Sequence, residues 1–312
     1  MLDLLSAVLV APFRDMAGSP TFLIEVLIGG LAAGLMYSLV ALGFVLIYKA
    51  SGVFNFAQGV MVLFAALTLV GLIERGAPLV IALVLTMAVM VALAFAIERV
   101  VLRPLVNQEQ IILFMATIGL NFFLEGFGEL AWGSDVKKLD VGIPDTSFMA
   151  WGVQVNRLEL TAAVTAAVLV AIMAVFFQRT RVGRALRAVA DDHEAALSIG
   201  IPLNTIWIVV WSVAGLVAIV AGIMWGAKSG VQFSLSLIAL KALPVLILGG
   251  FTSVPGAIVG GLIIGTGEKL AEVYWGPLVG GAIENWFAYM LALAFLLVRP
   301  QGLFGEKIIE RV

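Results

Sequence analysis

The stretch Thr180–Pro202, TRVGRALRAVADDHEAALSIGIP, is the charged segment around which the rest of the chain is arranged. Together with Arg179 it contains four of the 18 lysine and arginine residues, and it also contains the single histidine. Apolar runs flank it on both sides, and each is long enough for a spanning helix, which needs about 20 mostly apolar residues. A short charged helix between two membrane spans is a natural contact for a soluble partner outside the membrane.

The amino-acid composition indicates a membrane protein. Of the 312 residues, 62% are hydrophobic and 12% are charged, whereas soluble domains have about 25% charged residues. The net charge of −2 and the scattered basic residues offer no patch for nucleic acid. The chain has no cysteine, which excludes thiolate metal sites, and its one histidine has no nearby partner of the kind that a histidine metal site uses. We predict no cofactor.

Uncharged or nearly uncharged runs divide the chain into nine candidate membrane segments: Thr21–Tyr48, Ala50–Ile73, Gly76–Ile97, Gln110–Trp132, Leu160–Gln178, Leu203–Ala227, Leu235–Gly250, Val254–Leu270 and Leu278–Val298. The seventh and eighth are short and joined by a Gly- and Pro-containing turn, so they form either two full spans or a broken, re-entrant pair. We therefore predict an all-α fold. It is a polytopic transmembrane helix bundle of about eight to nine membrane segments, in a single domain over residues 1–312.

The regions outside these runs complete the topology. Residues 1–19 are predicted to lie at the membrane interface, and residues 133–157 to form a polar loop outside the membrane. If the charged segment is cytoplasmic, alternating spans place ten lysine and arginine residues inside and six outside. This excess favours an N terminus outside and a C terminus inside.

Glycines spaced four residues apart predict where helices approach each other closely, because each pair lies on one helical face. The pairs are Gly30 and Gly34, Gly222 and Gly226, Gly256 and Gly260, and Gly261 and Gly265. They argue for a tight bundle and carry no information about a substrate.

A second feature is the broken segment, Ser51–Gly59, with the sequence SGVFNFAQG. Its glycines Gly52 and Gly59 and its amides Asn55 and Gln58 interrupt an apolar tract, where unsatisfied polar groups are costly. A helix break here would free backbone groups to face a passing polar solute. An ordinary turn with a capping Asn55 explains the pattern equally well, and the sequence leaves both open.

Ionisable residues within the spans are further candidates. Lys241 has no acid nearby in the sequence, so we expect it either to line a pathway or to form a structural pair. Glu98 lies at a helix end and is expected to reach the interface. Lys269 follows Glu268 and is expected to pair locally or to extend to the interface.

No catalytic constellation is present. The sequence has no G-x-S-x-G elbow, no H-E-x-x-H and no phosphate-binding G-x-x-x-x-G-K-[ST] loop. We therefore predict that the chain is not an enzyme, and that another chain binds ATP if ATP drives it.

Three motifs in order resemble those of branched-chain amino-acid ABC transporter permeases. They are GFVLIYKASGVFNFAQGVMVL, then TRVGRALRAVADDHEAALSIGI, and then KALPVLILGGFTSVPGAIVGGLIIG followed by RPQGLFG. The resemblance runs from about Gly29 to Gly305. Many relatives carry His where this chain has Gln58, and Gln cannot titrate, so no protonation step is expected there.

The resemblance implies a permease subunit of an importer in the bacterial inner membrane, moving branched-chain amino acids. Its implied partners are a second related permease, two cytoplasmic ATPases, a periplasmic binding protein and membrane lipid. The pathway candidates are Gly52, Asn55, Gln58, Gly59 and Lys241. The candidates for ATPase coupling are Arg181, Gly183, Arg184, Arg187, Asp191, Asp192 and Gly200.

The charged segment then has an expected mechanism. A helix from Arg184 to Ile199 would place Ala185, Leu186, Val189, Ala196 and Leu197 in a groove on an ATPase. Its charges would set the register, since charges at an interface rim tune encounter and specificity. A helix that merely anchors the loop to the membrane surface is the plainer alternative.

The substrate and the assembly stay open at this point. Relatives of the same importer class carry urea, short amides or aromatic carboxylates, with selection residing in the binding protein. A self-sufficient channel or secondary transporter is a further alternative. The permease dimer could be homomeric or heteromeric.

Overall fold

The computed structural model describes residues 8–105, 108–191, 196 and 198–305 of the chain. Its α-helices are α1 Ala11–Gly18, α2 Pro20–Ser51, α3 Gln58–Glu74, α4 Leu79–Ala96, α5 Gln110–Trp132, α6 Arg157–Arg179, α7 Arg181–Asp191, α8 Leu203–Ser229, α9 Ile238–Gly249, α10 Val254–Tyr274, α11 Gly276–Val279 and α12 Glu284–Val298. A π-helical turn, Ile97–Leu102, and a 3-10 turn, Arg103–Leu105, continue α4, and a 3-10 turn, Phe233–Leu237, precedes α9. Two short strands, β1 Ser147–Ala150 and β2 Val153–Asn156, pair antiparallel.

The predicted all-α polytopic bundle is confirmed. Within the described residues, α2, α4 with its extension, α5, α6 and α8 are each long and apolar enough to cross a membrane. Helices α9 and α10, with the 3-10 turn, meet the same criteria as a pair bent by 114°. Adding the shorter α3 and α12 gives eight segments if the bent pair is one span and nine if it is two, which is the predicted total.

Helix α2 forms the centre of the bundle. In its most apolar stretch 83% of the residues are buried, compared with 22% for α5 at the periphery. Pro20 occupies the first turn, where its missing N–H costs nothing. At the other end Gly52 adopts φ +66° and donates its N–H to the Tyr48 carbonyl at 2.8 Å. This left-handed cap, which glycine adopts without strain, ends the helix at the predicted break.

Glycine pairs hold α2 against α10, as the spacing predicts. A Cβ on Gly34 would lie 2.4 Å from the carbonyl oxygen of Gly261, and one on Gly265 would lie 2.4 Å from the Gly34 nitrogen. At this close approach the Ser38 hydroxyl donates across the interface to the Ala257 carbonyl at 3.0 Å. Backbones come this close only where side chains are absent, so the contact fixes the register of the two helices.

Loops gather at two opposite faces of the bundle. On the hairpin face, named for the β1–β2 hairpin, Lys137 Nζ lies 2.5 Å from Glu74 and Lys228 Nζ lies 2.7 Å from Glu159. Helix α6 runs from this face for 23 residues, or about 35 Å at 1.5 Å per residue. It ends at the α7 face, which carries α7, the turn between α9 and α10, and residues 299–305. The sidedness of the two faces in the membrane stays a prediction.

Two regions differ from the sequence expectation. The predicted loop 133–157 contains the β1–β2 hairpin, whose turn holds Trp151 at φ 50° and Gly152 at φ 80°. Glu98 does not reach an interface, because the π-helical turn places it inside the bundle at 2% exposure. That prediction was wrong. The interfacial location of the N-terminal segment, where α1 lies, stays a prediction.

Candidate functional site

The broken segment folds back into the bundle after α2. Ser51 donates its hydroxyl to the Ile47 carbonyl at 2.8 Å and accepts the Val53 N–H at 3.3 Å. Helix α3 then begins at Gln58, whose side chain packs against Gly43, about two turns before the end of α2. The chain therefore returns to the depth of Gly43 before α3 starts.

Asn55 stabilises this return. It is fully buried, its amide oxygen accepts the Ala57 N–H at 3.1 Å, and its amide nitrogen lies 3.6 Å from the Met61 sulfur. Its own carbonyl accepts the Gln58 N–H at 3.2 Å. These are the contacts of a capping turn, in which the side chain replaces a missing backbone partner. A direct contact between Asn55 and a solute stays a prediction.

Gln58 is the unsatisfied polar group of the segment. It is fully buried, and within the described part of the chain neither atom of its amide has a hydrogen-bond partner. A Cβ on Gly43 would lie 2.1 Å from the Gln58 nitrogen, so a side chain there would displace the Gln58 amide from its present position. An unpaired buried amide is costly and calls for an explanation beyond stability.

Gly59 has a strict packing requirement. A Cβ there would lie 2.1 Å from the Ser236 carbonyl oxygen and 2.7 Å from the Ala239 side chain. The first turn of α3 is therefore pressed against the 3-10 turn that precedes α9.

Thr117 on α5 fixes the two phenylalanines of the broken segment, and sequence reasoning missed it. Its hydroxyl accepts the Phe56 N–H at 3.0 Å and lies 3.3 Å from the Phe54 carbonyl. The Phe54 ring stacks on Phe44, with centroids 4.9 Å apart, and both Phe54 and Phe56 contact Phe114. A lone threonine in an apolar helix was the available signal.

A cavity of about 230 Å³ lies beside these rings. The broken segment, α5, the 3-10 turn and the start of α9 border it, and it is open on the side of the exposed Phe122 and Leu237. It is lined by Phe44, Phe54, Phe56, Asn121, Phe122, Glu125, Ser236, Leu237, Ala239, Leu240 and Leu243. The broken segment thus contributes Phe54 and Phe56 to this wall, while Asn55 lies behind them.

Lys241 faces away from this cavity. Its ammonium donates to the Glu268 carboxylate and, at 3.0 Å, to the Glu284 carbonyl. Tyr37 donates to the same carboxylate oxygen at 3.4 Å. Lys241 is therefore in a structural pair, and Glu268 pairs with it and not with the adjacent Lys269. A pathway role for Lys241 stays a prediction.

The charged segment begins with a rigid attachment of α7 to α6. Gly183 donates its N–H to the Thr180 hydroxyl at 3.0 Å, and a Cβ on it would lie 2.1 Å from the Phe177 carbonyl oxygen. Arg187 donates to that same carbonyl at 2.7 Å. Helix α7 starts at Arg181, three residues earlier than expected, because Thr180 supplies the hydroxyl that accepts from the first turn.

The apolar face of the charged segment turns inward. Leu186 and Val189 are 1% and 0% exposed, and with Ala196 they belong to the main hydrophobic core. The prediction that this face fills a groove on an ATPase is wrong for these residues, since the chain's own core covers it. Leu197 lies outside the described residues.

The polar and turn residues of the segment are placed differently. Arg181 and Arg184 are exposed on the α7 face. Gly200 adopts φ +84° in the turn before α8, where glycine is favoured, and Ile199 beside it is exposed. Asp191 ends α7, but its side chain and all of Asp192 lie outside the described residues.

The C-terminal motif closes the α7 face. Leu303 donates its N–H to the Leu248 carbonyl at 2.8 Å, and Phe304 donates to the Gly249 carbonyl at 3.2 Å. Phe304 and Arg187 both line a second cavity of about 260 Å³ beneath α7. The second and third motifs of the sequence therefore meet on one face.

Comparison with known proteins gives a consistent result. A family described as "Branched-chain amino acid transport system / permease component" matches residues 26–299. The high-affinity branched-chain amino acid transport system permease protein BraD of Pseudomonas aeruginosa is 29% identical, over 93% of this chain and 98% of that protein. LivH of Escherichia coli, named in the same words, is 28% identical over the same shares. The structure of PsaBC from Streptococcus pneumoniae in complex with Fab aligns at 15% identity over 93% of this chain and 95% of that one, with a TM-score of 0.46. The resemblance to this family is confirmed, and the chain belongs to the family of branched-chain amino-acid transport permease components.

Proposed function

We propose that this chain is a transmembrane permease subunit of an ATP-binding-cassette importer for branched-chain amino acids. The observation that carries the proposal is the family match over residues 26–299, with relatives at 28% and 29% identity named as high-affinity permeases for these substrates. The chain is a multi-pass membrane protein, and its relatives are transport subunits, not enzymes.

The proposed assembly contains a second related permease, two cytoplasmic ATPases and a periplasmic binding protein, in the bacterial inner membrane. The N terminus would then lie in the periplasm, and the α7 face in the cytoplasm. The exposed Arg181 and Arg184 on that face support this arrangement, because they offer charge to a soluble partner.

The attachment of α7 to α6 supports a coupling role for the charged segment. Arg187 and Gly183 both meet the Phe177 carbonyl, so a push on α7 acts on the end of α6 with no flexible joint between them. The ATPase would contact the exposed Arg181 and Arg184 and the stretch from Asp191 through Asp192 to Gly200. The inward apolar face then transmits the push to the core.

The broken segment supports the proposed pathway. Gly52 ends α2, Gly59 lets α3 approach Ser236, and the unpaired amide of Gln58 lies between them. Asn55 would act by holding this segment in place. Lys241 would contribute by fixing α9, which forms the facing wall, through its pair with Glu268.

The second candidate function is import of a different substrate by the same kind of transporter. The same importer class would serve urea, short amides or aromatic carboxylates if the binding protein selected them. A self-sufficient channel would need uptake by this chain alone.

Reconstitution in proteoliposomes tests the proposal. The chain with its ATPases, second permease and binding protein should import leucine when ATP is supplied, and the chain alone should not. Arg184→Glu should lower uptake per ATP hydrolysed, whereas Arg14→Glu, the same charge change at an exposed residue of α1, should not. Leucine uptake by the chain alone would refute the importer and favour the channel.

A further inference from the structure

The cavity beside the broken segment has two kinds of wall. One is aromatic and aliphatic, made by Phe44, Phe54 and Phe56 together with leucines of α9. The other is polar and comes from α5, where Asn121 and Glu125 both line the cavity. Four residues apart on a helix, these two side chains lie one above the other on the same face.

The polar wall is not accounted for by the fold. Within the described part of the chain, the side chains of Asn121 and Glu125 make no hydrogen bond or ion pair with another residue, in contrast to the Lys241 ammonium, which donates to two groups. Ionisable groups in membrane spans are expensive and are kept mainly where they meet a solute, a pathway or a partner. An unpaired carboxylate and an unpaired amide in one cavity therefore indicate a ligand that carries both a cation and an acceptor.

The size of the cavity limits that ligand. At about 230 Å³ it is smaller than the pockets of drug-sized molecules, which span about 300–1,000 Å³. A cavity of this smaller volume suits a molecule the size of a single amino acid. The rigid aromatic wall, held by Thr117 and by the Phe44–Phe54 stack, suits a compact apolar side chain.

We propose that this cavity is a transient binding site for a zwitterionic α-amino acid with an aliphatic side chain. The Glu125 carboxylate accepts from the ammonium, the Asn121 amide donates to the carboxylate, and Phe44, Phe54 and Phe56 enclose the side chain. The inference rests on the proposed permease function and narrows its substrate. Urea has no apolar part to fill the aromatic wall, and an aromatic carboxylate has no cation to meet Glu125.

The first test uses the assembled transporter in proteoliposomes with radiolabelled leucine. Glu125→Gln should lower leucine uptake about tenfold, the value of one hydrogen bond to a charged group. The matched control is Glu129→Gln, one turn further along α5 on an exposed residue that does not line the cavity. ATP hydrolysis stimulated by the loaded binding protein should persist in both variants, which separates a pathway defect from misassembly.

The second test needs no variant. A diazirine analogue of leucine, photolysed during turnover of the wild-type transporter, should label peptides that contain Phe54, Phe56 or Leu240. Labelling confined to other parts of this chain would overturn the site, as would equal uptake by the Glu125→Gln and Glu129→Gln variants. A wild-type assembly that does not import leucine would instead overturn the proposed function itself.

Discussion

Lys241 on α9 donates its ammonium to the carboxylate of Glu268 on α10, 27 residues further along the chain. The Glu268 side chain is 3% exposed, and Tyr37 of α2 and the Glu284 carbonyl of α12 complete the cluster. One ion pair therefore joins four helices at a single point. Removing one partner of a buried ion pair destabilises a protein because it leaves an uncompensated charge, whereas replacing both partners with apolar residues is often neutral.

Lys241→Met should destabilise the protein by about 3–5 kcal/mol, because it leaves the Glu268 carboxylate buried without its cation. The measurement is thermal unfolding of the purified protein in detergent. The double variant Lys241→Met with Glu268→Gln should regain much of the loss, since no uncompensated charge remains. Equal destabilisation in the single and double variants would contradict this account.

Gly34→Ala should destabilise the α2–α10 contact by about 1–3 kcal/mol, the usual cost of overpacking. Its Cβ would lie 2.4 Å from the Gly261 carbonyl oxygen, and backbone atoms on both sides cannot yield. The control is Gly29→Ala on the same helix, where a Cβ meets nothing within 4 Å. Thermal unfolding of the control should be unchanged or stabilised by up to about 1 kcal/mol, the helix propensity difference.

Gln58→Leu should raise stability by about 1–3 kcal/mol, because it removes an unpaired buried amide while keeping a similar volume. Uptake by the assembled transporter should fall in the same variant if the amide meets the solute. Two measurements check this prediction: a melting curve of the purified variant, and leucine uptake compared at equal amounts of reconstituted protein. A variant that melts earlier would show that the amide has a partner, such as a bound water.

Leu186→Ala should cost about 2–5 kcal/mol of stability, since Leu186 is 1% exposed in the main core. Ile199→Ala changes an exposed residue of the same charged segment and should leave stability within about 0.5 kcal/mol. Melting curves compare the two variants, and co-purification measures how much ATPase each retains. If Leu186→Ala melted normally but lost the ATPase, the apolar face would contact the partner after all.

Much of the architecture follows from the sequence because a segment in the hydrocarbon core of a membrane must be apolar and helical. Charge-free runs located the helices, and Gly52 marked the end of α2 since a left-handed cap favours glycine. The spacing of Gly30 and Gly34 predicted a close helix contact. None of these inferences required knowledge of which helix would be the neighbour.

The parts that the sequence did not predict depend on that knowledge. The partner of Lys241 lies on another helix, so the local sequence could not show whether the lysine is paired. The apolar face of α7 was visible in the pattern, but the pattern is the same whether a partner or the chain's own core covers it. The polar cavity residues Asn121 and Glu125, and Thr117 nearby, acquire their roles only from the broken segment and α9, which lie far from them in the sequence.

The hydrogen bonds from Leu303 and Phe304 to Leu248 and Gly249 have a consequence for biosynthesis. A chain emerging from the ribosome presents α9 and α10 to the membrane well before residues 303 and 304 exist. The carbonyls of Leu248 and Gly249 at the end of α9 therefore lack these donors until residues 303 and 304 have been synthesised after α12. The last step in building the α7 face is the docking of this short stretch, so the surface offered to a soluble partner is complete only once α12 has inserted.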